Sequence, residues 1–565
     1  MNKRKWGGQA LVLLLMTALA LGGCGGGGEP AAQNGAKGSA ESGSGNAPAP
    51  SVGPLGKYDP MIEVTTVRGD INQGFKYKDG DTIDNNIWTR IFEEQYGIKV
   101  KNLWTVDESQ YRQKLNVSIA SGDIPDFLMV NKEEMMRLND AGQIEELTAL
   151  LDEFGSPYLK ELLQQDNGVA LKAATVDGKL IGIPRMQVNG GISTGEMIWV
   201  RTDWLKKLNL PEPKTIADVV RIATAFAKED PDGNGKADTA GLGINNELFQ
   251  MHGSLKGFFN GYKAYPNLWI KDDSGKLAFG SIQPEMKQAL EQLKALYSER
   301  VIDQEFAVKP WDKLAEEIAA GKLGLAYGTV SDGGYIQSKN VDNEPDATWR
   351  PYPIVSLDGS PAVPQLQDTA TNFYVVKKGS KHPEAMIQIA NIYLKHYYET
   401  NYAPEPNPFI SDKDGVFPGK YHPVQIDPLN VNLEAYKQVQ EALDKGDGSG
   451  LGFPASVHFD RLSQYFAGDK ELWFATAVFG AEGSYSVIDY YNNEKLGIYS
   501  EFQGAATPTM AQKMSSLEKM QDETFTKIIM GQSPISAFDD FVEDWMKLGG
   551  EQITNEVNEW YAKNQ

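Results

Sequence analysis

The segments IEVTTV (62–67), NIWTRIFEEQYG (86–97), IKVKNLW (98–104), QYRQKLNVSIAS (110–121) and FLMV (127–130) decide the fold class. Short β-branched and apolar runs alternate with amphipathic stretches of helical period, the first of which ends on Gly97. Strands separated by helices of this length imply right-handed βαβ units and parallel-rich sheets flanked by helices. Two further helices are legible downstream. Thr215 with Asp218 three residues on forms a capping signal, followed by an apolar stripe of Ile216, Val219, Val220, Ala223, Phe226 and Ala227. Pro284 suits the first position of a helix whose apolar face holds Met286, Ala289, Leu290, Leu293, Leu296 and Tyr297. Neither helix is apolar all round, so each covers a sheet. No internal repeat is evident, which argues against a solenoid or propeller.

The N-terminal region sets the compartment. Lys3, Arg4 and Lys5 precede a short apolar run over 10–21. At 1.5 Å per residue that run is too short for a hydrocarbon core of about 30 Å, so it reads as a secretory signal, 1–23. The run closes on Leu21-Gly22-Gly23-Cys24, which resembles the lipobox of bacterial lipoproteins, with Cys24 as the lipidated residue. Cys24 is the only cysteine among the 565 residues, so disulfide frameworks and thiol chemistry are excluded. The stretch 24–56 is Gly-, Ala-, Ser- and Pro-rich and is expected to be a disordered tether reaching roughly 30 Å. The remaining chain is too long for a single core. A net charge of −22 argues against nucleic acid and anionic lipid as partners.

Several segments resemble family 1 extracellular solute-binding proteins: ASGDIPD (120–126), IWVRTDWLKKL (198–208), GKLGLA (321–326) and SKHPEA (380–385). The tail adds FTKIIMG (525–531), FDDF (538–541) and EWY (559–561). Each is weak alone, but they occur in the expected order across the whole chain beyond the tether. Together with the lipobox and the tether they are similar to the large Gram-positive lipoprotein branch of that family. The resemblance implies an α/β, periplasmic-binding-protein-like clamp of two lobes joined by hinge strands. It places 57–185 and 322–376 in one lobe and 186–321 and 377–565 in the other, with 321–326 and 380–385 as crossings and Trp199 and Trp204 as hinge packing.

One loop carries a metal signal. In DPDGNGKAD (230–238), Asp230, Asp232, Asn234 and Asp238 fall at positions 1, 3, 5 and 9 of an EF-hand-type loop, with a glycine at position 6. Lys236, at position 7, would offer its backbone carbonyl. Hard oxygen ligands suit Ca²⁺ in a structural role. Position 12 is Gly241, so the usual bidentate Glu is missing.

Enzyme motifs are sparse. His252, His382, His396, His422 and His458 have no paired metal-ligand spacing and read as surface or helix-cap residues. No GxSxG, P-loop or Rossmann context appears. A sugar needs an aromatic plate for its C–H face and planar polar groups for its hydroxyls. Taken at strand ends, the candidates are Arg68, Trp104, Asp126, Tyr327 and Asp332, with Trp269, Trp473 and Tyr485 from the second lobe. The expected function is a monomeric, lipid-anchored binding protein on the extracellular face of a Gram-positive cell. It would capture an oligosaccharide by lobe closure and pass it to the permease of an ABC importer, without catalysis. The long stretch after residue 380 fits a ligand larger than a monosaccharide. Peptide binding by the same clamp, or a surface glycoside hydrolase, stand as alternatives, since 76 acidic residues always offer some carboxylate pair.

Overall fold

The chain between residues 52 and 564, apart from 71–76, 79, 189, 251, 400–406 and 411–415, is described by a computed structural model. The signal segment 1–23, Cys24 and the tether as far as residue 51 lie outside the described residues. Residues 52–56, expected to belong to the tether, are instead held on the globular body. Asn391 Nδ2 donates to the carbonyl of Pro54 at 2.8 Å, and Val52 and Leu55 pack on a buried core.

The opening βαβ unit forms where its pattern places it. Strand β1 (Ile62–Asp70) is followed by helix α1 (Ile87–Ile91), strand β2 (Ile98–Asp107), helix α2 (Glu108–Ser121) and strand β3 (Phe127–Asn131). Asn86 caps α1 in a reciprocal box with Thr89, and Gly97 ends the following π turn at φ +63°, which its missing Cβ permits. Trp88, Phe92 and Tyr96 are buried along one face of this segment. β1 and β2 pair in parallel, with a one-residue irregularity between Thr66 and Val67.

The remaining elements build two further main sheets. Those that bear on the site and the cores are, in chain order, β4 (Ile183–Pro184), β5 (Met197–Arg201), α3 (Ile216–Lys228), the hairpin β6 (Trp269–Lys271) and β7 (Leu277–Phe279), and α4 (Glu285–Ser298). Strands β8 (Leu325–Gly328), β9 (Trp349–Pro353) and β10 (Asn372–Val376) follow, then α5 (Ala385–Leu394), α6 (Val431–Lys445), α7 (Ala455–Phe466) and α8 (Trp473–Phe479). One sheet runs β3-β10-β4 and another β8-β5-β9, both antiparallel. Parallel-rich sheets were expected. Among the named strands of the described residues, parallel pairing is confined to β1–β2. The reason is that β10 enters between β3 and β4 from the far end of the chain and runs against both. Thr215 caps α3 in the box predicted with Asp218, and Pro284 takes the cap position before α4.

Two separate apolar cores organise the chain. The first gathers residues from Tyr58 to Met186 and from Ala370 to Leu429; the second gathers those from Met197 to Ala362 and from Leu433 to Tyr561. The chain therefore changes lobes between Met186 and Met197, between Ala362 and Ala370, and between Leu429 and Leu433. This corrects the expected partition at two places. Residues 322–362 stay in the second lobe, because β8 and β9 pair with β5. The segment around α5, expected in the second lobe, is the buried centre of the first. Trp199 and Trp204 are likewise not at a hinge. Trp199 is buried in β5, and Trp204 packs edge-on against Phe226 with the Arg201 guanidinium above its ring. At the first crossing, Gly191 has φ +58°, and a Cβ there would lie 2.9 Å from the Tyr499 hydroxyl. Among the described residues no helix is long and apolar enough to cross a membrane.

Candidate functional site

A cavity of about 500 Å³ opens in the first lobe, beside the second half of β1 and the end of β2. Its polar lining includes Arg68, Arg185, Lys420, Asp107 and Glu108, and its flatter faces come from Tyr111, Phe127, Met129 and Tyr374. The far wall is the loop 418–427, which is stitched to the sheet from several sides. Arg68 donates to the carbonyls of Tyr421 (2.5 Å), His422 (3.2 Å) and Lys420 (3.3 Å). The Gln425 N–H donates to Tyr374 Oη at 2.9 Å, Gln425 Nε2 to the Gly419 carbonyl at 2.8 Å, and Trp88 Nε1 to the Pro418 carbonyl at 2.8 Å. Tyr111 Oη donates to the Met129 carbonyl at 2.9 Å, fixing its ring against the sheet. Burial pushes the Tyr111 and Tyr374 phenols above their ordinary range, so both stay neutral donors. Arg185 and Arg68 oppose that shift at Tyr374, which puts both guanidinium groups within electrostatic reach of one hydroxyl.

A second cavity, of about 460 Å³, is bordered by residues of both cores. Tyr397 and Tyr398 come from the side of the first; Val330, Phe479 and Tyr485 from the second. The His458 ring stacks on Phe479 at 3.5 Å between centroids, and Phe479 stacks on Tyr485 at 4.9 Å. Burial, then the charge of Arg461, lowers His458 to about 4, so the ring is neutral and can serve as an aromatic surface. One cavity is rich in planar donors and acceptors; the other presents ring faces.

The residues picked from sequence fall in different places. Arg68 lines the first cavity and Tyr485 the second. Trp104 lies near the end of β2, half-buried, with Nε1 donating to Ser118 Oγ at 3.3 Å and Lys114 over its ring. Asp126 is at the other end of the sheet. It precedes β3 instead of following it, and its carboxylate accepts from the Thr65 N–H (2.8 Å) and hydroxyl (2.6 Å), tying two strands. Tyr327 is buried in β8 against Gly257, away from both cavities. Trp269 is buried in the β6–β7 hairpin against Phe279, and Trp473 starts α8, packed on the second core. Asp332 is buried, accepts from Thr329 Oγ1 at 2.7 Å and lies 2.9 Å from His252 Nδ1. The histidines were expected at the surface or at helix caps, and His422 does cap the short turn Pro418–Tyr421. His252, His396 and His422 are buried, and His422 is wedged between Trp88 and Phe92, where desolvation holds it well below its ordinary pKa. Missed altogether were Arg185, Tyr374, Lys420 and Gln425. Arg185 follows a strand of two residues, and its only sequence signal is a cation closing the apolar run Ile181-Gly182-Ile183-Pro184.

The loop 230–238 folds as a ring of oxygens. Asn234 Nδ2 donates to Asp232 Oδ2 at 2.6 Å and to Asp238 Oδ1 at 2.9 Å, and the Gly235 N–H donates to Asp230 Oδ2 at 3.0 Å. Asp230 Oδ1 is buried without a hydrogen-bond partner. Burial raises the pKa of Asp232, and the neighbouring carboxylates of Asp230 and Asp238 act in the same direction. The loop is closed on itself by these hydrogen bonds, and among the described residues no group of three or more acidic or histidine side chains is arranged to hold a metal ion. Its oxygen-bearing side chains are of the type that suits a hard divalent ion.

Two α/β lobes with separate cores, a chain that crosses between them repeatedly, and cavities at strand ends and between cores define a two-lobed solute-binding clamp. The family model of bacterial extracellular solute-binding proteins matches residues 88–395, and the chain belongs to that family. It is 27% identical to the Bacillus subtilis lipoprotein LipO over 84% of this chain and 89% of the relative. It is 23% identical to the B. subtilis polygalacturonan/rhamnogalacturonan-binding protein YtcQ over 81% and 84%. In fold it is similar to an extracellular solute-binding protein of Bifidobacterium longum subsp. infantis, with a TM-score of 0.60 at 18% identity over 90% of this chain and 99% of that one.

Proposed function

We propose that the chain captures an oligosaccharide outside the cell and delivers it to the permease of an ABC importer, without altering it. The observation that carries this reading is the first-lobe cavity. Planar donors and acceptors of the kind that grip hydroxyls converge there beside the rings of Tyr111 and Tyr374. The aromatic cavity bordered by both cores supplies the ring faces that a sugar's C–H surface needs, so both lobes would touch one ligand on closure. The names of the relatives point the same way without agreeing on charge. YtcQ is named for polygalacturonan and rhamnogalacturonan, whereas FusA of Streptococcus pneumoniae, 28% identical over 42% of this chain, is named for fructo-oligosaccharides. Lipidation at Cys24 would tether the protein to the membrane. Ca²⁺ held by Asp230, Asp232, Asn234, Asp238 and the Lys236 carbonyl would pin the second-lobe loop.

A thermal-shift screen against oligosaccharides and peptides, with mass analysis of each sugar after incubation, tests the reading. A rise in Tm with an oligosaccharide recovered intact supports it. Stabilisation by peptides alone, or recovery of shortened sugars, refutes it.

A further inference from the structure

Several arginines of this chain carry their own carboxylate. Arg112 pairs with Glu134, Arg201 with Asp203 and Glu344, and Arg350 with Glu212. Arg185 does not. Its Nη2 donates to the neutral Gln425 Oε1 at 3.2 Å, its Nη1 meets the weak acceptor Met129 Sδ at 3.8 Å, and its Nε is buried with no partner among the described residues. Asp427 feels the charge of Arg185, but its Oδ1 is occupied by the hydroxyls of Tyr393 (2.7 Å) and Tyr398 (2.8 Å). A guanidinium presents a planar fork that matches a carboxylate, and leaving part of that fork desolvated and unmet is costly.

The cavity has a charged polarity of its own. Arg68, Arg185 and Lys420 line it together, although the chain as a whole is strongly acidic. Asp107 and Glu108 line it too; Asp107 Oδ1 accepts from the N–H and hydroxyl of Ser109, at the start of α2. A negative group is disfavoured near those two acids and favoured at Arg185, whereas sugar hydroxyls can donate to the acids.

We propose that this cavity seats a uronic-acid residue of the captured oligosaccharide, its carboxylate on Arg185 and its hydroxyls toward Asp107 and Glu108. The assignment rests on the sugar-binding reading and sharpens it to an anionic ligand class. A zwitterionic peptide would also present a carboxylate. The aromatic groove between the cores and the sugar-binding relatives favour the glycan.

Isothermal titration of the purified protein with galacturonate and alginate oligosaccharides, each beside its carboxyl-reduced neutral counterpart, tests the idea. Reduction changes only the carboxylate, so ring, linkage and length stay fixed. The expected result is binding of at least one acidic form that falls on the order of 10- to 100-fold on reduction. Arg185→Gln should shrink that preference, weakening the acidic form far more than the reduced one and bringing the two toward equal affinity. Arg185→Lys should fall between. Equal affinity for acidic and reduced forms overturns the uronate assignment while sparing sugar binding, as does exclusive binding of neutral glucans or fructans in the same series. Binding of short peptides that is lost in Arg185→Gln, with no sugar bound, overturns both readings.

Discussion

Replacing Arg68 by Met keeps the apolar stem and deletes the guanidinium that holds the far wall of the first-lobe cavity. The bonds at stake differ in worth. Those to the Tyr421 and His422 carbonyls, at 2.5 and 3.2 Å, are partly buried, whereas the one to the Lys420 carbonyl, at 3.3 Å, is exposed and water can replace it. A charged hydrogen bond contributes about 1.5–3 kcal/mol net, and loop carbonyls that turn to water recover part of it. Two effective bonds with partial recovery give an expected loss of roughly 2–3 kcal/mol. The loop also carries Lys420 and Gln425 of the cavity wall, so sugar affinity should fall about tenfold or more. Denaturant unfolding gives the first quantity and titration calorimetry the second. A stability loss below about 0.5 kcal/mol together with unchanged affinity would refute the claim that Arg68 builds this wall.

Other expectations are checked more simply. Thr215→Ala removes the oxygen that accepts from the Asp218 N–H at 3.2 Å and should cost about 1 kcal/mol in denaturant unfolding, while Thr215→Ser should be nearly neutral. Gly191→Ala forces a side chain into φ +58° and toward the Tyr499 hydroxyl, and should cost at least about 1 kcal/mol by the same measurement. His396 is lowered by burial from 6.5 to about 4, so the folded state favours the neutral ring. Its contribution is whole above 6.5 and is lost as pH falls toward 4; His396→Gln should make the pH dependence of the unfolding midpoint shallower across that window, the buried His422 and His458 supplying the remainder. Calcium at a hundredfold excess over its Kd should stabilise the protein by about 2.7 kcal/mol, read as a rise in Tm that chelator reverses and Asp232→Ala abolishes.

How much of this was legible in the sequence follows from what each signal encodes. The boxes at Asn86–Thr89 and Thr215–Asp218 are local, and the second was readable because both partners lie within one turn. The lobe membership of 322–362 and of α5 was not. All ten residues of α5 are buried, so it has no polar face to say which core it enters. Direction along the sheet misled at Asp126, where one residue before or after β3 decides which end of the sheet a side chain occupies. Trp269, taken from the second lobe, and Tyr327, taken at a strand end, proved to be core, because burial of an isolated ring leaves no periodic trace. Arg185 was hidden by a strand of two residues and by partners, Met129 and Gln425, that only the tertiary fold brings near.

The central claim is capture of an intact glycan by closing two lobes. Small-angle scattering of the protein with and without a saturating oligosaccharide, followed by mass analysis of the recovered sugar, measures both halves of it. A smaller radius of gyration at one-to-one stoichiometry, with the sugar unshortened, is the predicted result. An unchanged radius with every glycan, or products released at substoichiometric protein, would contradict it.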